Sequence, residues 1–108
     1  MLTLMRSSAV MGIEAYTVTI EVDASRGLPG YSLVGLPDTA VKEGRERIFS
    51  AIKNSGYGLP PLRIVINLAP ADIRKEGSAY DLPIALALMK SGGAIDFPDD
   101  DKTAFLGE

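Results

Sequence analysis

The stretch from Arg63 to Met89, RIVINLAPADIRKEGSAYDLPIALALM, constrains the fold more than any other part of the chain. Its opening run, Ile64-Val65-Ile66-Asn67-Leu68, is rich in β-branched residues that suit a pleated, buried strand and is too short for a helix. It is read as a central strand. Ala69-Pro70-Ala71-Asp72 and a charged turn, Arg74-Lys75-Glu76-Gly77, follow it, and Leu82, Ala85, Leu86 and Met89 then recur at helical spacing. The order is therefore strand, polar loop, helix start. Helix N-termini and the loops feeding them expose unpaired backbone N–H groups, so a site is sought within residues 70–81.

With 108 residues the chain has the length of one domain. At 46% hydrophobic and 23% charged residues it has enough apolar material for a core. Cys and His are both absent, which excludes disulfides, thiolate metal sites, the usual zinc ligand and the usual general base. Carboxylate-bound magnesium or calcium stays open, because hard cations need only oxygen ligands. The net charge of −3 offers no global attraction to nucleic acid, so phosphate binding would need a local basic patch. No apolar run has the length of a membrane span, and MLTLMRSSAVMG lacks the order of a secretory signal. No membrane partner and a cytoplasmic location are expected.

Residues 2–10 are loosely strand-like. After Gly12, residues 13–23 alternate cleanly, with Val18, Ile20 and Val22 on one side and Thr17, Thr19, Glu21 and Asp23 on the other. That predicts a half-buried strand in an antiparallel setting, forming a hairpin with the first about Gly12. Ser25–Gly30 reads as a loop and Tyr31–Leu36 as a short strand. A first helix starts near Pro37, with Asp38 or Thr39 as N-cap, carries an apolar stripe of Val41, Ile48, Ala51 and Ile52, and stops at Gly56. Glu43 and Arg47 stand four apart on its solvated face in the favoured order. The second helix has two possible caps, Ser78 of an S-x-x-D pattern or Asp81, because Pro83 disfavours helical geometry at Leu82. It runs to about Lys90. A further strand is expected to begin at Thr103, and its stop at Glu108 reads as a cut, so a fragment of something longer is expected.

Neither G-x-x-x-x-G-K-[ST] nor G-x-G-x-x-G occurs, so no ATP site is expected within these residues. The glycines at 27, 30 and 35 read as strand connections, and Asp99-Asp100-Asp101 as a solvated acidic turn, since adjacent acids do not converge on one cation. Arg63, Arg74 and Lys75, with Lys42, Arg45 and Arg47 on the first helix, are candidates for a phosphate-facing patch against a background of ordinary surface charge. Lys75 and Ser78 suggest a Ser/Lys nucleophile pair, although capping explains Ser78 without it.

Many blocks in one order carry a resemblance: Gly12-Ile13-Glu14, Gly27-Leu28-Pro29-Gly30, Val34-Gly35-Leu36-Pro37-Asp38-Thr39-Ala40, Ala51-Ile52-Lys53-Asn54-Ser55-Gly56, Asn67-Leu68-Ala69-Pro70-Ala71-Asp72, Arg74-Lys75-Glu76-Gly77 and Tyr80-Asp81-Leu82-Pro83. Together they closely resemble the N-terminal domain of the ComM/YifB family, bacterial AAA+ proteins also called magnesium chelatase-like or ChlI-like. The resemblance implies an α+β fold like the proteolytic domain of Lon and the second domain of a small-subunit ribosomal protein, with a mixed sheet and two main helices. Residues 1–108 would form that single domain. It also implies a parent with an ATPase module that uses ATP and magnesium, neither being expected in this fragment. The parent would be cytoplasmic and form a homo-hexamer, the domain contacting its own ATPase module and neighbouring subunits. The competence member of the family acts as a DNA helicase in branch migration during natural transformation, so DNA is a further expected partner.

Lon-like peptidases start the corresponding helix with Asp-Gly-Pro-Ser-Ala-Gly. Aligned on Gly77, the nucleophile position falls on Ala79, which has no nucleophile, and Ser78 takes the place of the proline. The resemblance therefore implies a non-catalytic domain, and the loop before the second helix offers Arg74, Lys75 and Gly77, joined by Arg63, as the candidate nucleic-acid surface. The alternative is a Lon-like Ser/Lys peptidase using Ser78.

Overall fold

A computed structural model describes residues 2–70, 75, 78–98 and 102–108. In chain order the elements are β1 (Leu2–Met11), β2 (Glu14–Ser25), β3 (Gly30–Val34), α1 (Asp38–Asn54), β4 (Arg63–Ala69) and α2 (Asp81–Ser91). The fold class is α+β. Four strands form one mixed sheet in the order β1-β2-β4-β3, with β3 parallel to β4 and the other pairs antiparallel.

The hairpin turns at Gly12, whose φ of 62° is open to glycine at little cost. It aligns Met5 with Ile20 and Ser7 with Val18. On β2 the alternation sorts as expected: Val18, Ile20 and Val22 are fully buried while Thr17 and Asp23 are exposed. β4 is an interior strand, but only one of its faces is covered: Ile64, Ile66 and Leu68 are buried and Val65 is 41% exposed. Both helices serve the same side of the sheet, so the core is a single layer between sheet and helices, closed by Ile48, Ile52, Ile84, Ala87 and Leu88.

Several expectations are corrected. β3 ends at Val34, and Gly35 and Leu36 belong to the turn that follows. The N-cap of α1 is Pro37 and that of α2 is Tyr80, neither with a side-chain cap hydrogen bond, so Asp38 and Asp81 lie in the first turns and Ser78 lies outside the helix. Pro83 sits in the first turn of α2, where a missing N–H costs nothing. On α1, Ala51 is exposed and Gly44 is buried in company with Ile48 and Ile52. On α2 the fully buried apolar residues are Pro83, Ile84, Ala87 and Leu88, while Ala85, Leu86 and Met89 pack only partly buried against the core and Leu82 is exposed. Residues 103–108 do not form a strand; they run irregularly past β1 and the start of α2. The acidic run 99–101 lies outside the described residues.

Candidate functional site

The end of β4 and the start of α2 bracket the loop singled out by the sequence. Gly35, at φ +111°, brings the turn after β3 against the end of β4, where an added Cβ would lie 2.7 Å from the Leu68 carbonyl oxygen and 3.4 Å from Lys75 Cε. No other residue fits that backbone and that gap. The Lys75 stem fills the space beside them. Lys75 is 3% exposed, and its amine donates a hydrogen bond to the Pro70 carbonyl. A cation so placed is turned inward, toward the strand end, rather than outward to a phosphate.

Arg63 is exposed, at the opposite end of the same strand. Six residue steps separate it from Ala69, a distance of roughly 20 Å. Of the four residues proposed from sequence, Arg63 and Lys75 are thus held apart, while Arg74 and Gly77 lie outside the described residues.

Ser78 donates its hydroxyl to Glu108 Oε2 at 2.7 Å. The segment around Glu108 also supplies main-chain bonds: Gly107 N–H to the Ala79 carbonyl at 2.9 Å, and Leu82 N–H to the Gly107 carbonyl at 2.9 Å. The second of these satisfies one of the helix-start N–H groups for which the sequence reading sought a cap. Two residues earlier, Phe105 N–H bonds the Arg6 carbonyl at 2.8 Å. Residues 105–108 therefore tie β1 to the beginning of α2. Ser78 and Lys75 each donate to a different acceptor, a carboxylate in one case and a main-chain carbonyl in the other.

A two-bond polar link between the helices is one the sequence did not suggest. Arg47 on α1 meets Asp81 on α2 with two hydrogen bonds, Nε to Oδ2 at 2.8 Å and Nη2 to Oδ1 at 3.2 Å. The paired geometry lets the fork of the guanidinium match both carboxylate oxygens. Asp81 holds the Arg47 pKa above its ordinary value, chiefly through this bond. Close by, the Tyr31 hydroxyl is pushed up to about 12, by burial first and by the Asp81 carboxylate next, with Arg45 opposing. Tyr31 and Phe49 pack edge to face at 5.9 Å, and the Arg45 guanidinium lies 5.7 Å from the Phe49 ring centre. The signal for this last group was present in the sequence, as Arg45 and Phe49 stand four apart on one helix face.

Among the described residues, no group of three or more acidic side chains is arranged to hold a metal ion, and no helix is long and apolar enough to cross a membrane.

A two-layer α+β unit that joins a mixed sheet through such a loop to a helix start matches, over residues 20–108, the family described as subunit ChlI of Mg-chelatase, and the chain belongs to that family. Within it the chain is of the ComM/YifB type. It is 49% identical over 107 residues to the uncharacterized protein YifB of Escherichia coli, covering 99% of this chain and 21% of that protein. It is 47% identical over 95 residues to the competence protein ComM of Haemophilus influenzae, covering 88% and 19%. An uncharacterized protein of Mycobacterium tuberculosis is 40% identical over 102 residues, covering 94% and 20%. The chain thus spans about a fifth of the length of the curated relatives it matches.

Proposed function

We propose that this chain is the non-catalytic, Lon-like N-terminal domain of a magnesium chelatase-like AAA+ ATPase, contributing to ring assembly and to DNA binding by a helicase that acts in recombination or natural transformation. Ala79, which stands at the nucleophile position of the Lon-like pattern and has no nucleophile, carries the non-catalytic part, and the partnering of Ser78 with Glu108 and of Lys75 with the Pro70 carbonyl speaks against a Lys75/Ser78 pair. A Ser/Lys mechanism needs the amine to take the proton of the hydroxyl, and here the two groups point to separate acceptors. The name of the Haemophilus relative supports a role in competence. The length of the relatives leaves room for the ATPase module, where ATP and magnesium are expected, and hexamer contacts and a cytoplasmic location belong to the same reading.

On this proposal Arg63, Arg74 and Gly77 contribute DNA contacts, and the buried Lys75 donates to the Pro70 carbonyl. Binding of the 108-residue chain to a labelled oligonucleotide, titrated with salt, tests it. Arg63→Glu should weaken binding and flatten the salt dependence by about one phosphate contact. A wild-type chain that binds no DNA at low salt ends the DNA part and leaves a scaffold that contacts only protein. The peptidase alternative is tested with a serine-reactive probe on the complete parent: labelling at Ser78 that disappears in Ser78→Ala would establish it.

A further inference from the structure

We infer that the outer face of α1, continued by the loop after it, is a single-strand nucleic-acid groove in which Phe49 and Tyr57 receive bases and Arg45 and Lys53 hold phosphates. This rests on the DNA-binding reading above and assigns it a second, structurally defined surface.

Lys42, Arg45, Phe49 and Lys53 follow one another at spacings of three or four, and the three cations are exposed. They lie along one stripe about 16 Å long, at 1.5 Å per helical residue. Past the end of α1 the stripe opens into a cavity of about 550 Å³ whose walls include Phe49, Lys53, Tyr57, Leu59 and Pro60. Tyr57 is 41% exposed there although its ring is largely apolar. Arg45 already stands over aromatic faces, 5.9 Å from the Tyr31 ring centre and 5.7 Å from that of Phe49. Pro29 and Pro61 complete the far rim, and Gly30 N–H bonds the Leu62 carbonyl, next in the chain to the exposed Arg63. The groove and Arg63 therefore share one end of the sheet.

Alternating cations and aromatic rings along an open channel are what a flexible polyanion with exposed π-faces requires. A duplex keeps its bases stacked inward and offers nothing to an apolar floor, whereas a single strand offers both parts. The charge of the groove is not uniform, because Glu46 lines a recess shared with Arg45, Phe49 and Ser50. That carboxylate opposes a phosphate and supplies a test of opposite sign.

Fluorescence anisotropy of a labelled fifteen-residue oligothymidylate with the 108-residue chain reads the proposal, with circular dichroism melts as the control for folding. Tyr57→Ala, at an exposed position, should weaken binding about tenfold through loss of one stacked base. Lys53→Gln should lower the slope of log affinity against log salt by about 0.7, the value for one phosphate on a single strand. Glu46→Gln should tighten binding. If Tyr57→Ala, Lys53→Gln and Glu46→Gln all leave affinity unchanged while Arg63→Glu reduces it, the groove is overturned and the DNA reading stands. Equal loss of duplex and single-strand affinity in Tyr57→Ala also overturns it. Failure of the wild-type chain to bind any oligonucleotide at low salt overturns both.

Discussion

Arg47 and Asp81 are 34 residues apart in sequence, and their two hydrogen bonds join the middle of α1 to the first turn of α2. The Arg47 side chain is 40% exposed and that of Asp81 12%, so the acid carries most of the desolvation. Removing the arginine would leave a largely buried carboxylate without its fork, at a cost greater than that of an exposed ion pair. Arg47→Met should lower the unfolding free energy by about 1–2 kcal/mol in urea titrations. A double-mutant cycle with Asp81→Asn should show coupling near 1 kcal/mol, and additive effects would mean that the pair contributes nothing.

Tyr31 titrates late. Its hydroxyl is held near 12 against an ordinary 10.0, so the folded state resists ionisation more than the unfolded one. The sign follows: this contribution is fully present below pH 10 and is lost as pH rises toward 12. Tyr16 and Tyr80 are also raised, Tyr16 by its bond with Glu14 and Tyr80 by burial, so the step that should vanish in Tyr31→Phe is the one near 12 in ultraviolet titration. The same variant should soften the loss of stability between pH 10 and 12.

Two glycines should respond to alanine with opposite signs. Gly35 has φ +111° and only 2.7 Å of clearance to the Leu68 carbonyl oxygen, so Gly35→Ala should destabilise by about 2 kcal/mol or more. Gly44 lies inside α1, and an added Cβ would sit 3.6 Å from Arg47 Nη2 and 3.8 Å from Asp81 Oδ1, ordinary contact distances. Gly44→Ala should therefore raise stability by roughly 0.5–1 kcal/mol from helix propensity alone. Thermal melts of the two variants check both.

Lys75 separates stability from binding. Lys75→Met keeps the apolar stem against Gly35 and Leu68 but removes the donor to Pro70, which should cost about 1–2 kcal/mol. Oligonucleotide affinity measured well below the melting temperature should not change, because Lys75 is buried and its amine is turned to the Pro70 carbonyl. A large fall in affinity with intact folding would return Lys75 to the contact surface.

Ser78→Ala should leave stability within about 0.5 kcal/mol, since the bond from Ser78 to Glu108 is exposed. Chemical denaturation measures this directly.

The strands were the most legible part of the chain. Alternation at Val18, Ile20 and Val22 needs no partner to be seen, because a pleated strand has only two faces and each residue type chooses one. The turn at Gly12 and the helix stop at Gly56 were legible for a similarly local reason, glycine's tolerance of φ values near 62° and 87°. α2 was not legible in this way. Its residues are apolar on nearly every side, so spacing could not decide between Leu82-Ala85-Leu86-Met89 and Ile84-Ala87-Leu88. The candidate site divided along the same line. Arg63 was found at an exposed strand end, whereas Lys75, equally charged in sequence, proved to be buried.

The amino-acid order by itself determined the alternating strands, the glycine turns, two helical segments and membership of a family carried by short contiguous blocks. These depend on neighbours a few residues apart. The tertiary structure decided which face of α2 meets the sheet, that Arg47 turns to Asp81 with Glu43 only a lesser influence, that the Gly107 carbonyl satisfies the Leu82 N–H, and that Phe49 and Tyr57 share one groove. Each of those depends on groups brought together across a long stretch of chain or around a helix end, and their energies exist only once the sheet has placed the two helices side by side.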